Sequence, residues 1–266
     1  MEGLKNKGIS VVFVYFNGTL LFLKSIDILL KIFRIRNNIV IVNNSKNNIN
    51  SKYKTIKGSN TCQDFSGFLE GVKYLESKNE VGAYTIFFND TVDKRRFSYG
   101  SRLFNVIYNS IRVVYSKKNV NLIGELTGKG INEIIYGIPI IQTYSSYLFF
   151  CKTNIFINFM NDYYTKICHN TVILNGSISS IHQDISLNYQ LSLNGFLGLN
   201  GENAFGFWYN YKNASLDTKL TKAKCLILER MLPSYCTKKG IVIDFYKSFF
   251  MRLIRSFESQ IYKLWS

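Results

Sequence analysis

The chain reads as an α/β fold, a mixed, mostly parallel sheet flanked by helices, with a basic amphipathic helix at its C-terminal end. Two observations predict this. Short continuous apolar runs alternate with segments of helical periodicity, the pattern left by β-α-β units. Several of those runs end abruptly in Asn, Asp and Ser, and polar residues crowd at strand carboxyl ends where open α/β sheets bind ligands.

Ile9 to Phe16 is an uninterrupted apolar run and predicts a buried strand, and Leu20 to Phe33 has its apolar residues at helical spacing. Ile39 to Asn43 predicts a second strand that stops in NNSKNN, and Tyr53 to Ile56 a short third. After the polar turn GSNTCQD comes a helix from Phe65 to Glu76, and then a buried strand, Ala83 to Phe88, that runs into Asn89-Asp90-Thr91. Beyond it the spacing predicts a helix over 99–115, strands over 122–127 and 138–150, and helices over 154–166 and 183–193, the last capped by Gly195. From Tyr246 to Trp265 apolar residues recur every three or four positions opposite Lys247, Arg252, Arg255 and Lys263. Such a helix suits either the headgroup layer of an anionic membrane or packing on the domain.

Composition narrows the class. With 47% hydrophobic and 19% charged residues in 266, the chain carries enough apolar side chains for one substantial core. Prolines occur only at Pro139 and Pro233, and no linker composition divides the chain, so residues 1–240 are expected to form one domain and 241–266 an appended helix. A formal charge of +16 predicts attraction to phosphate-bearing partners. Five cysteines, odd in number and never spaced C-x-x-C, suggest neither a disulfide framework nor a zinc knuckle and fit reduced thiols in a cytoplasmic setting. Asn17 and Gly18 interrupt the N-terminal apolar run and no small-x-small cleavage site follows, so a buried strand turning into a helix is expected there rather than a signal peptide, and the uncharged stretch 134–151 carries Pro139, Gln142, Thr143, Ser145 and Ser146, so a sheet strand is expected there and not a membrane span. No P-loop, nucleophile elbow, zinc-hydrolase pattern or nucleic-acid-binding motif occurs.

Three strand ends converge in this reading. Asn43, Asn44 and Ser45 offer polar groups for a base and ribose, and Asp90, directly after a buried strand, offers a carboxylate to a divalent cation or diphosphate. Asn89-Asp90-Thr91 has an alternative role as turn chemistry. Asp184, at the expected start of the 183–193 helix, is either a charge favoured by the helix dipole or a general base.

In order and spacing, these segments resemble the GT-A glycosyltransferase superfamily, especially the family 2-like enzymes of bacterial surface-polysaccharide (O-antigen and capsule) synthesis. SVVFVYFNGTLLFLKSIDILL is similar to their opening strand, loop and helix, with Asn17 near the donor loop, and IVIVNNSKNN to their second strand. KTIKGSNTCQDFSGFLEGVKYL resembles their following turn and helix, which puts Asn60 and Asp64 near the donor. YTIFFNDT occupies the place of the metal-binding D-x-D, with Asn89 and Asp90, and HQDISLNYQLSLNG resembles the late acidic motif, with Asp184 as catalytic base and His182 as an aid to the metal. The resemblance spans residues 9 to 195 and implies a nucleotide-sugar donor, Mg²⁺ or Mn²⁺, inversion at the sugar, a polysaccharide or lipid-linked oligosaccharide acceptor, and a place on the inner face of the plasma membrane with no nucleic-acid partner. It departs from the family pattern at two points: only Asp90 is acidic within the D-x-D segment, and Asn43 stands where an acid is usual. The competing readings are a basic nucleic-acid-binding protein and a degenerate transferase fold serving as a scaffold.

Overall fold

The computed structural model describes residues 8–94, 99–115, 119–129, 133–182, 184–199, 213–245, 253 and 256. Its frame is a sheet of seven strands: β1 (Ile9–Tyr15), β2 (Asn37–Asn43), β3 (Lys54–Lys57), β4 (Tyr84–Asn89), β5 (Val120–Lys129), β8 (Gln142–Lys152) and β11 (Ile241–Asp244). Their order across the sheet is β11-β5-β8-β4-β1-β2-β3. All pairings are parallel except those that β8 makes with β4 and with β5. Six helices of eleven or more residues flank it: α1 (Leu21–Ile32), α2 (Asp64–Ser77), α4 (Tyr99–Tyr115), α5 (Thr153–Asn170), α6 (Leu187–Leu197) and α7 (Leu216–Thr237). The short α3 (Thr91–Lys94) and two hairpins, β6 (Ile134–Ile135) with β7 (Ile138–Pro139) and β9 (Thr171–Leu174) with β10 (Ser177–Ser180), complete it.

Alternation along β1 shows why the sheet is buried on both faces. Val12 and Val14 join one core, with α2, α5 and α7, while Ile9, Val11 and Phe13 join the other, with α1 and α4. Helix α2 lies unusually close to β1: a Cβ at Gly71 would fall 2.4 Å from a Val12 methyl, so only glycine admits that approach.

The predicted elements up to residue 115 are present within a few residues of their expected ends. Later ones differ. The 138–150 strand begins at Gln142, after the small β6–β7 hairpin. Helix α6 starts at Leu187 with Ser186 as N-cap, so Asp184 precedes the helix and does not open it. Gly195 is buried inside α6, and the left-handed cap is Gly198 at φ 61°. Residues 241–244 pair with β5, so the sheet continues past the expected boundary at 240. Apart from Leu253 and Ser256, both helical and exposed, the expected helix over 246–265 lies outside the described residues. No helix among the described residues is long and apolar enough to cross a membrane.

Candidate functional site at the carboxyl edge of the sheet

From β1 the chain moves outward to β2 and β3 on one side, then returns to place β4 on the other side of β1. The crevice at the carboxyl ends of β1 and β4 is therefore the point where strand order reverses, the place where open α/β sheets bind ligands. Register makes these ends level: Val14 pairs with Asn89 and Tyr15 with Asn43.

Asp90 closes this crevice. Its Oδ2 accepts backbone N–H bonds from Asn17 at 2.8 Å and Phe16 at 3.2 Å, so the carboxylate after β4 fixes the loop after β1. Gly18 completes the contact, since a Cβ there would fall 2.4 Å from Asp90 Cβ. Asn89 lies beside it, buried, with Oδ1 accepting the Thr91 N–H at 2.9 Å and a side-chain hydrogen bond to Asp64. Asp64, first residue of α2, is buried too. Burial pushes its carboxyl above the ordinary value, and Asp90 adds to the rise, while Lys222 and the Asn89 bond oppose it.

The second strand end is organised differently. Asn43 is buried and satisfied internally: Oδ1 accepts the Ser45 N–H at 2.9 Å and its hydroxyl at 2.7 Å, while Nδ2 donates to Asn47 O at 2.8 Å. Asn43 and Ser45 thus build the turn. Asn44 reaches toward Asn60, donating to its Oδ1 at 3.3 Å, and its own N–H is tied to Tyr15 O at 2.8 Å. Asn60 is exposed and adopts φ 58°, a left-handed conformation that asparagine tolerates.

Two charged residues of this site were not foreseen, and both come from α7. Lys222 is 3% exposed, and Glu229 donates nothing but accepts the Ser146 hydroxyl at 2.9 Å. Burial raises the Glu229 carboxyl, Lys222 and the Ser146 bond lower it, and Asp64 raises it further, so Asp64, Lys222 and Glu229 form one electrostatic group. Glu229, Ser145, Ser146 and Phe65 line a shallow pocket between β8 and α7. The signal was available: Leu216 to Leu232 is rich in helix formers, Ser215 caps it by accepting the Thr218 N–H, and Lys222 and Glu229 lie two turns apart on one face.

Asp184 and His182 lie in the segment between β10 and α6. His182 is exposed in the turn after β10. Asp184 is half-buried; its carbonyl accepts the Tyr136 N–H at 2.7 Å, and the neighbouring Ile185 bridges Ile135. Tyr189 of α6 docks on α7 by donating to Leu226 O at 3.1 Å and feels the charges of Arg230 and Glu229, which brings the segment after Asp184 toward the same helix. Among the described contacts, none joins Asp184 or His182 to Asp90.

No protein-family model, curated protein or solved structure matches this chain. The site must therefore be judged on its own chemistry. It offers two adjacent carboxylates, a buried lysine and a set of asparagines at a strand-order reversal. Among the described residues no three His, Cys, Asp or Glu side chains are grouped to hold a metal. Asp64 and Asp90 suit the one- or two-carboxylate mode in which Mg²⁺ takes its remaining oxygens from phosphates and water.

Proposed function

We propose that this chain is a nucleotide-sugar-dependent glycosyltransferase of the GT-A type, acting on a polysaccharide or lipid-linked oligosaccharide acceptor at the inner face of a membrane. The observation that carries the reading is the meeting of Asn17, Asp64, Asn89 and Asp90 at the strand-order reversal, with the buried Lys222 beside them. A diphosphate leaving group needs cationic charge and fixed donors at its oxygens, and a sugar donor needs polar groups for its base and ribose. Lys222 and the loop after β1 supply the first, and Asn44 and Asn60 the second. A divalent cation, held by Asp90 and Asp64, would neutralise charge on the departing diphosphate.

The acceptor hydroxyl must lose a proton as it attacks the anomeric carbon. The family resemblance gives that role to Asp184. A second candidate is Glu229, which lines the pocket between β8 and α7 with Ser145 and Ser146 and accepts the Ser146 hydroxyl at 2.9 Å. Transfer and donor-hydrolysis rates, measured across nucleotide sugars for wild type, Asp184→Asn and Glu229→Gln, decide between them. Loss of rate with donor binding intact identifies the base. Full rates in both variants reject both assignments, and no turnover of any donor by the wild type rejects the enzymatic reading.

A further inference from the structure

Helices α1 and α4 lie side by side over one core, and their outer faces are apolar where a solvated surface is ordinarily polar. On α1, Leu21, Ile28 and Ile32 are 60%, 57% and 65% exposed; on α4, Phe104, Tyr108 and Tyr115 are 47%, 52% and 66% exposed. They fall at helical spacing: 21, 28 and 32 on one stripe, and 104, 108 and 115 on the other. Phe104 and Tyr108 stack with their ring planes 8° apart, so they present one flat aromatic surface. An exposed apolar face of this extent marks an interaction site.

Charge selects the partner. Lys24 and Lys31 are exposed on the same side of α1, and Arg34 and Arg36 follow in the exposed turn. The one acid of α1, Asp27, is 2% exposed and pairs with Lys31 at 2.9 Å and Lys52 at 3.4 Å, α4 contains no acidic residue, and among the described residues Lys24, Arg34 and Arg36 make no ion pair. Apolar and aromatic side chains bordered by lysine and arginine, on helices that lie flat on the domain, match the interface of an anionic bilayer, where rings and branched chains enter the headgroup boundary and ammonium groups meet lipid phosphates. We propose that the α1–α4 face is a membrane-docking surface for anionic lipid. The inference is independent of the reaction catalysed.

The test is co-sedimentation of the full chain with vesicles of phosphatidylcholine alone and of phosphatidylcholine with phosphatidylglycerol, over a series of salt concentrations. Two variants are compared with the wild type, Ile28→Glu with Ile32→Glu, and Phe104→Ser with Tyr108→Ser. All four positions are exposed, so melting temperatures should match the wild type. The expected result is binding to the anionic vesicles that weakens with salt and falls roughly tenfold or more in each variant. Three results overturn the proposal: no binding by the wild type, unchanged binding in both variants, which assigns the lipid contact to another part of the chain, or a dimer in solution that the variants dissociate, which assigns the face to a second copy.

Discussion

Replacing Gly18 by alanine probes the contact that joins the ends of β1 and β4. The added Cβ would stand 2.4 Å from Asp90 Cβ and 2.8 Å from both Cγ and Oδ2, below the 3.0 Å limit of real contacts. Asp90 Cβ cannot retreat easily, because the preceding residue is fixed in register opposite Val14. The loop must lift, or the carboxylate must rotate away from the N–H groups of Phe16 and Asn17. A hydrogen bond to a charged acceptor contributes about 1.5–3 kcal/mol, and overpacking costs a further 1–3 kcal/mol or so. Losing one bond and straining the other puts the cost near 3 kcal/mol, to be read from urea denaturation midpoints. The decisive assay is a double-mutant cycle with Asp90→Ala. In that background the hydrogen bonds to the carboxylate are already gone while the 2.4 Å contact with the residue-90 Cβ remains, so Gly18→Ala should keep only its overpacking cost of about 1 kcal/mol, a coupling of roughly 2 kcal/mol. An equal cost in both backgrounds, or none in either, would refute the argued contact.

Two further outcomes follow from the buried charges. Lys222→Met removes a buried cation whose charge opposes the raised carboxyls of Asp64 and Glu229, so stability to urea near neutral pH should fall, with partial recovery when Asp64→Asn is added. The pH dependence has a definite sign: carboxyls raised on folding bind protons more tightly in the native state, so their contribution is most favourable below the ordinary values of 3.8 and 4.5 and declines as pH rises through the folded values. Asp64→Asn with Glu229→Gln should therefore flatten the fall in stability from about pH 4 upward, measured by denaturation across pH, and a steeper fall would contradict the assigned direction.

Much of the frame was legible because local pattern and burial agree there. β1 and β4 are continuous apolar runs buried on both faces, and the polar residues that stop them, Asn17, Asn89 and Asp90, do meet at one crevice. Asn44 and Asn60 also come together, across sixteen residues. Three features were hidden for physical reasons. Asn43 and Ser45 look like ligand groups, but their hydrogen-bonding capacity goes into their own turn. The end of α6 was misplaced because Gly195 looks like a cap, although Gly198, three residues on, is the one with left-handed backbone. Lys222 and Glu229 were missed because a lysine within a helix reads as surface, and only the packing of α7 against β8 buries it beside Asp64. Asp184 was expected to open the helix over 183–193, but α6 starts at Leu187 with Ser186 as its N-cap.

The most direct test of the account is isothermal titration of the wild-type chain with uridine, guanosine, cytidine and thymidine diphosphates, each with and without Mg²⁺ or Mn²⁺. The account predicts that at least one binds and that Asp90→Asn, with its fold retained, weakens that binding about tenfold or more through loss of a charged contact. Absence of binding by all four, or binding that Asp90→Asn and Asp64→Asn leave unchanged, would contradict it.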